Sequence, residues 1–392
     1  MPNIEAYGCQ LIDDEDVKLV AESLSGSYLT QGPEIERFET ALCDTVQAPF
    51  GIAVSSASAG LHIAMMAIGV GPGDVVWTTP ITFVATATCA IHQGASIDFI
   101  DIDRHTWNLD IDLIEHRLHE LDATGKKLPK AIIAVHFAGL SCDMKRLREL
   151  TNQFGILLIE DAAHALGAHY MANDRSYPVG CSQHSDITVF SFHPVKPITT
   201  GEGGLVTTRS EELASKLFDL RSHGITRDYF KFKTVDPPPW WYEQQHLGLN
   251  YRMTDIQAAL GQSQLKKLSS FISKRRALSQ LYRKYLKDTP IEFQETNPGF
   301  VHAHHIEIIK LANPSNRLGL FKYLQSKKIG VNVHYIPIYK QPIMKSLNSN
   351  YSACPAAENY YSKVITIPLH TRLDSQDVEF VSNNIKEFLG KS

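Results

Sequence analysis

The stretch FSFHPVKPITTGEGG (residues 190–204) holds a single lysine between two prolines. It begins as an apolar run typical of a β-strand and ends in a glycine-rich turn. Ser191 and His193 stand where this strand ends, and Lys196 follows within a few residues. A lysine amine can form a covalent bond with an aldehyde. What Lys196 does therefore depends on the groups that accompany it.

Two other segments place polar groups at the carboxyl ends of predicted strands, where open α/β sheets bind their ligands. In AVSSASAGLH (53–62), a strand runs into small residues and then into a helix that begins near Ser58. The free N–H groups and the dipole of a helix start favour an anion such as phosphate. In LLIEDAAHALGA (157–168), Asp161 follows an apolar strand. Considered alone, each segment has a plain structural interpretation, because serine and aspartate both cap helices.

Together, the three segments match the parts of one cofactor, pyridoxal 5′-phosphate. The helix start offers a phosphate site, Asp161 can keep a pyridine nitrogen protonated, and Lys196 can bond to the aldehyde. A buried carboxylate needs such a cationic or hydrogen-bonding partner. The sequence therefore predicts an enzyme that uses pyridoxal 5′-phosphate.

The elements that must position these groups follow an α/β pattern. Six β-rich runs alternate with helical or turn segments: DVVWTT, SIDFIDID, KAIIAVHFAG, GILLIED, DITVFSF and GGLVTT. Such alternation predicts a mostly parallel central sheet that is covered by helices on both faces.

The pattern changes at Thr254, which forms a predicted capping box with Gln257 and opens one or two long amphipathic helices. Later β-rich runs are HHIEIIKL (304–311), GVNVHYIPI (330–338) and VITIPL (364–369), and helices are predicted at about 315–328 and 374–390. We therefore expect two domains: a large cofactor-binding domain over residues 1–262 and a smaller α+β domain over residues 263–392.

Composition excludes several classes of protein. The 392 residues are 43% hydrophobic and 20% charged, and the formal net charge of −4 gives no basic surface for nucleic acid. The sequence shows neither a signal peptide nor a run of roughly 18 apolar residues, so we expect no membrane association and a cytoplasmic protein. The histidines of HAHH (302–305) lack the spacing of a helical zinc site, so no metal site is predicted.

Several motifs resemble the DegT/DnrJ/EryC1/StrS family of sugar aminotransferases, whose members act on nucleotide-linked keto sugars. The matching stretches, from about residue 28 to 262, are LTQGPEIERFE, TTPITFVATA, EDAAHALGA, FSFHPVKPITTGEGG, RSHGI and GLNYRMTDIQAALG. The resemblance implies the fold type I architecture of pyridoxal phosphate-dependent transferases. In that architecture a large domain with a mostly parallel sheet precedes a smaller C-terminal α+β domain.

The resemblance also implies a role for each residue that matches a family motif. Lys196 would be the catalytic lysine that bonds to the cofactor and shuttles protons, and Asp161 would partner the pyridine nitrogen. The other cofactor-binding residues would be Ala57, Ser58 and Ser191 at the phosphate, Phe83 flat on the ring, His164 beside the ring, and Asn250 from a second subunit.

Within the family, LTQGP, TTPITFVATA, KPITTGEGG and VHYIPIY are most similar to the branch that serves pseudaminic acid biosynthesis. That branch implies transfer of the amino group of L-glutamate to C4 of UDP-2-acetamido-2,6-dideoxy-β-L-arabino-hex-4-ulose by a homodimer with shared active sites. The implied substrate-binding residues are Tyr7, Ser27, Tyr28, Leu29, Thr30, His334, Tyr335 and Ile336, the first five of them in an N-terminal substrate segment.

Other functions stay open at this point. A sister aminotransferase would act on another 4-keto or 3-keto sugar, of a different epimer or nucleotide. A cofactor-binding regulator without turnover is disfavoured because Lys196 and Asp161 are both present. A nicotinamide-dependent oxidoreductase is disfavoured because no G-x-G-x-x-G motif lies between a strand and a helix. The dehydratase branch of the family has histidine where this chain has Lys196.

Overall fold

Helices and strands alternate through the first half of the chain. The computed structural model describes residues 3–347 and 350–390. The helices are α1 (Asp14–Ser25), α2 (Pro33–Val46), α3 (Ala57–Ala67), α4 (Ala85–Ile91), α5 (Ile111–Ala123), α6 (Met144–Phe154), α7 (Glu211–Arg221), α8 (Asp255–Lys266), α9 (Leu268–Tyr285), α10 (Asn316–Ser326), α11 (Pro342–Ser346), α12 (Pro355–Lys363) and α13 (Ser375–Gly390). Within the described ranges, none of these helices is both long and apolar enough to cross a membrane.

The strands fall into one large sheet and three small ones. They are β1 (Phe50–Val54), β2 (Val75–Thr78), β3 (Ser96–Phe99), β4 (Ala131–Val135), β5 (Leu157–Asp161), β6 (His169–Ala172), β7 (Arg175–Pro178), β8 (Ile187–Ser191), β9 (Gly204–Thr208), β10 (Ile225–Thr226), β11 (Glu243–Gln244), β12 (Ile291–Phe293), β13 (Glu307–Leu311) and β14 (Val364–Ile367).

The large sheet has seven strands in the order β1, β9, β8, β5, β4, β2, β3. Strand β9 runs antiparallel to both of its neighbours, whereas β2, β3, β4, β5 and β8 pair in parallel. All six predicted β-rich runs are strands of this sheet. The prediction of a mostly parallel central sheet is therefore confirmed.

Helices cover both faces of the large sheet. On β4, Ile132 and Ala134 pack in a core with α2, α5 and α6, whereas Ala131 and Ile133 pack in a second core with α3, α4 and α7. A strand that is buried on both faces needs apolar residues at every position. This explains why β4 reads as an unbroken hydrophobic run in the sequence.

The C-terminal part has its own core. The antiparallel strands β12, β13 and β14 pack with α9, α10 and α13 around Tyr282, Leu324 and Val381. The predicted capping box between Thr254 and Gln257 is present, and two helices, α8 and α9, follow it. Helix α9 contributes Leu268 at its start to a core of the large sheet. The division at residue 262 stays a prediction.

The prediction of a strand over residues 330–338 is wrong. In this segment, a single bridge from Asn332 to Thr366 touches β14, and the third strand of the small sheet is β12 instead. Further along the segment, the N–H of Ile338 donates to the carbonyl of Pro80 beyond the end of β2, at 3.0 Å. The segment thus crosses from the small sheet to the large one, and a crossing segment cannot form a continuous ladder with either.

Candidate active site

A cavity of about 650 Å³ lies at the carboxyl ends of the parallel strands. Val135 of β4, Asp161 of β5 and Ser191 of β8 all line it. The sheet therefore brings together groups that are far apart along the chain. The predicted site residues that line this cavity are Tyr7, Ala57, Ser58, Phe83, Asp161, His164, Ser191, Lys196, His334, Tyr335 and Ile336.

Lys196 lies in a turn that hydrogen bonds fix on both sides. Its backbone N–H donates to the carbonyl of His193 at 2.9 Å. Downstream, the hydroxyl of Thr199 and the N–H of Thr200 both donate to the carbonyl of Phe192 at 3.0 Å. The two flanking prolines further restrict the backbone. The turn therefore holds the lysine in one place between β8 and β9.

The surroundings of Lys196 favour the neutral amine. Burial lowers the pKa of Lys196 to about 8, because loss of hydration disfavours the ammonium, and the charge of Asp161 partly opposes this effect. About half of the amine is then neutral at pH 8. The neutral form is the one that attacks a carbonyl carbon or accepts a proton.

Asp161 is a buried carboxylate that faces the cavity. The side chain is 5% exposed; Oδ2 accepts a hydrogen bond from the Thr86 hydroxyl at 2.7 Å, and Oδ1 accepts from the N–H of Ala163 at 3.1 Å. In the described part of the chain, no cationic side chain forms an ion pair with Asp161. Such a carboxylate is suited to a cationic ligand nitrogen.

The amino end of α3 forms an anion site in the same cavity. Ser56 caps the helix by accepting a hydrogen bond from the N–H of Ala59 at 3.1 Å. Ala57 and Ser58 then face the cavity. A Cβ on Gly204 would lie 2.7 Å from the nitrogen of Ala57, so glycine allows β9 to approach the helix start closely. The exposed N–H groups and small side chains fit a phosphate.

One wall of the cavity is aromatic. The Phe83 side chain is 57% exposed although it is large and apolar, and its ring centroid lies 6.4 Å from that of Tyr335. Tyr7 packs edge-on against His334 with 5.0 Å between ring centroids, and His334 Nδ1 lies 2.8 Å from the Thr366 hydroxyl. An exposed aromatic inside a cavity offers a surface on which a planar ligand can stack.

A hydrogen bond determines which ring nitrogen of His164 carries the hydrogen. Its Nδ1 accepts from the N–H of Ala138 at 3.2 Å, and burial lowers its pKa well below the ordinary value, so the ring is neutral and Nε2 carries the hydrogen. Nε2 lies 3.2 Å from the Tyr335 hydroxyl and donates to it. The hydroxyl hydrogen of Tyr335 is then available to a ligand.

The sequence matches that of a known family. The model of the DegT/DnrJ/EryC1/StrS aminotransferase family matches residues 10–386. This chain belongs to that family. A relative from Campylobacter jejuni, UDP-4-amino-4,6-dideoxy-N-acetyl-β-L-altrosamine transaminase, is 37% identical over 393 residues, which cover 98% of this chain and 97% of the relative.

Solved structures of other aminotransferases have the same fold. Helicobacter pylori PseC, an aminotransferase involved in the biosynthesis of pseudaminic acid, superposes with a TM-score of 0.88 at 29% identity over 99% of both chains. Spr1654 of Streptococcus pneumoniae, assigned as a sugar aminotransferase, superposes in its pyridoxal phosphate form with a TM-score of 0.86 at 28% identity over 98% of both chains. It is also known in a pyridoxamine phosphate form. The fold type I architecture is confirmed.

The chain is a sugar aminotransferase that depends on pyridoxal 5′-phosphate, and the cavity fits this cofactor. Asp161, which lacks a cationic partner in the described chain, would hold the ring nitrogen. The start of α3 with Ser58 and Ser191 would hold the phosphate, and Phe83 would cover the ring. When bound, the cofactor carries the amino group between two substrates and accepts electrons into its ring.

Five predicted residues lie outside the cavity of their own chain. Asn250 is exposed, and it does not line the cavity. Residues 27–30 lie beside the start of α8, where Ser27 and Tyr28 line a separate cavity of about 170 Å³. The roles of these residues in cofactor and substrate binding therefore stay predictions.

Three residues near the site were not selected from the sequence. The hydroxyls of Thr82 and Thr86 are 2.8 Å apart, and the Thr86 hydroxyl donates to Asp161. The third residue, His305, lies beside Lys196. The four-residue spacing of the threonines in TTPITFVATA places them on one side of a helical turn, which is a usable signal. His305 carries no comparable signal in the sequence. The described residues contain no group of three potential ligands for a metal ion.

Proposed function

We propose that this aminotransferase transfers the amino group of L-glutamate to C4 of UDP-2-acetamido-2,6-dideoxy-β-L-arabino-hex-4-ulose, in pseudaminic acid biosynthesis. The observation that carries the proposal is the wall formed by Tyr7, His334 and Tyr335 next to Lys196. The names of the Campylobacter and Helicobacter relatives support this sugar over others.

The chain's own groups have distinct tasks in this reaction. The Nζ atom of Lys196, about half neutral at pH 8, would take the proton from Cα of glutamate and later deliver a proton to C4 of the sugar. The Tyr335 hydroxyl, with its oxygen already bonded to His164, would donate to a substrate oxygen. Burial raises the pKa of Tyr335, so this hydroxyl stays protonated. The buried wall would also exclude water.

Substrate choice is the direct test of the proposed sugar. We expect the β-L-arabino compound to be converted to the 4-amino L-altro sugar. The D-xylo epimer at C5 should have a kcat/KM lower by about 10²-fold or more, because inversion misplaces the sugar groups that meet buried polar partners. Release of 2-oxoglutarate measures the rate, and NMR spectroscopy identifies the product.

The comparison of epimers also separates the proposed sugar from its alternative. If the D-xylo compound is converted as fast or faster, the enzyme is a sister aminotransferase for another 4-keto or 3-keto sugar. Incubation with each epimer in the absence of glutamate is the control for release that does not depend on the donor.

We further propose a homodimer in which Asn250 of one chain reaches the phosphate in the partner's cavity. Asn250 is exposed and follows a segment with large exposed apolar side chains, among them Phe230 (95% exposed), Trp240 (77%) and Leu247 (86%). Apolar groups exposed in this number on one segment are typical of a contact surface. A second copy of the chain would cover them and would bring Asn250 to its site.

Mixing two inactive variants tests the shared site. Lys196→Ala removes the amine, and Asn250→Asp places a negative charge beside the phosphate. We expect that unfolding and refolding the two together restores about a quarter of wild-type activity, because about half of the dimers are mixed and each mixed dimer has one intact site. Each variant refolded alone is the control and should stay inactive. A fully active monomer in sedimentation analysis would contradict the proposal.

A further inference from the structure

His305 lies next to Lys196 but is not among the residues that line the cavity. Its Nε2 is 3.5 Å from Nζ of Lys196, at the long limit of a hydrogen bond, and the side chain is 3% exposed. Its ring centroid is 4.4 Å from that of His164. The imidazole thus meets the amine from within the protein.

The position of His305 does not depend on the lysine. Its N–H donates to the carbonyl of Ala138 at 3.0 Å, and its carbonyl accepts from the guanidinium of Arg275 at 2.9 Å. Arg275 of α9 is 1% exposed and also donates to the carbonyl of Leu369 at 2.9 Å. Three parts of the chain therefore fix the backbone of His305, and the imidazole is a preset partner for the amine.

The surroundings of Nδ1 of His305 determine which ring nitrogen carries the hydrogen. Nδ1 is buried without a hydrogen-bond partner among the described residues. Burial also lowers the pKa of His305 well below its ordinary value, so the ring is neutral and one nitrogen carries a hydrogen. A buried N–H without a partner is rarer in proteins than an acceptor without one. The favoured tautomer therefore has its hydrogen on Nε2.

We propose that His305 is a positioning residue for Lys196. The Nε2 hydrogen of His305 is donated to the lone pair of the neutral lysine amine and so holds the amine in place between proton transfers. An ammonium at Lys196 has no lone pair, so it could meet Nε2 only as a donor. The hydrogen of His305 would then move to Nδ1, where it would be buried without a partner. This cost disfavours the ammonium.

Other charges near Lys196 do not supply this effect. The groups that face it are Asp161 and His164 from the end of β5, His305 before β13, and His334 in segment 330–338, with Arg275 of α9 behind His305. Burial lowers the pKa of all three imidazoles below the ordinary value, so they are neutral near pH 7. Asp161 favours the ammonium. Burial and His305 are the influences that oppose Asp161.

Two amides of different length provide a matched test. Glutamine at position 305 can place its amide group near the position of Nε2, whereas asparagine, shorter by one carbon, reaches only as far as Nδ1. Both substitutions alter the core similarly. His304→Asn serves as a control at the neighbouring position, because His304 stacks on His302 and its left-handed backbone (φ 48°) suits asparagine.

The reactivity of Lys196 is measured in the full-length protein freed of cofactor. Acetylation by isotopically labelled acetic anhydride at several pH values, followed by peptide mass spectrometry, gives the fraction of neutral amine. We expect His305→Asn to react about tenfold more slowly at pH 7, with the midpoint about one pH unit higher. His305→Gln should recover most of the rate, and His304→Asn should match wild type.

The proposal does not depend on which sugar is used, so its failure and that of the proposed substrate are distinguishable. Equal labelling midpoints in wild type and His305→Asn would overturn it. If His305→Asn does not fold, a tenfold loss of labelling in His305→Gln would overturn it instead. In the enzyme loaded with cofactor, we expect His305→Asn to lower kcat while KM for glutamate stays unchanged. A changed KM for glutamate with an unchanged kcat would also overturn the proposal.

Discussion

Lys196→Ala is expected to lower turnover by about 10⁴-fold or more. In its proposed role, this one side chain would supply both the covalent bond to the cofactor and the proton transfer, and proton transfer alone contributes about 10²- to 10⁴-fold. The absorbance band that depends on the bond between lysine and cofactor should be absent in the variant. Turnover is measured as 2-oxoglutarate release, and the bond is mapped in the wild type by borohydride reduction and peptide mass spectrometry.

Lys196→Arg is the matched control for charge. Arginine keeps a long cationic side chain but stays protonated at any usable pH, so it cannot supply a neutral amine. We expect it to be as inactive as the alanine variant. Ordinary turnover in Lys196→Ala, together with a reduced adduct on another lysine, would show that the catalytic residue had been misidentified.

The central sheet could be predicted because burial on both faces leaves a direct mark on the sequence. A strand such as β4, with apolar residues at each of its five positions, cannot lie at a wet surface. Gly204, the first residue of β9, has a similar origin, since it must let β9 approach the start of α3. In these places, local sequence and final packing require the same residues.

The segment over residues 330–338 could not be predicted in the same way. Its alternation of apolar and polar residues suits a strand, but the segment pairs with β14 at Asn332 and then leaves the small sheet to meet Pro80 beyond the end of β2. Such a pattern also arises when a segment lies between a core and a cavity, as here, where Val333 and Tyr335 pack on the core and residues 332–336 line the cavity. Alternation in a sequence indicates that one face of the segment is buried. It does not show whether a neighbouring strand or another part of the protein covers that face.

For the candidate site, the sequence predicts the residues that lie within distinctive motifs and not those that join the site through long-range contacts. Lys196 and Asp161 lie in distinctive stretches, whereas Thr86 and His305 contact Asp161 and Lys196, respectively, across 75 and 109 positions of the chain. A sequence does not show which residues at such separations meet. Asn250 and residues 27–30 raise a further difficulty, because their proposed roles depend on how two chains pack together.

The second large effect is expected at Asp161, where charge and hydrogen bonding can be separated. In Asp161→Asn the amide oxygen can still accept from Ala163, and the amide NH₂ can donate to Thr86, whose hydroxyl can turn toward Thr82. The local structure is therefore kept while the negative charge is lost. Removing one partner of a buried ion pair costs about 3–5 kcal/mol. Turnover should then fall by roughly 10²- to 10⁴-fold.

Thr86→Val provides the complementary change for the Asp161 prediction. It keeps the charge of Asp161 but removes the hydrogen bond to Oδ2, which is worth about 1 kcal/mol, so turnover should fall by only about fivefold. Both variants are assayed for turnover and for cofactor affinity by equilibrium dialysis. If Thr86→Val is the more damaging of the two, the carboxylate acts through its geometry and not its charge. The predicted order, with Asp161→Asn far more damaging, is the one that a cationic ring nitrogen held by Asp161 would produce.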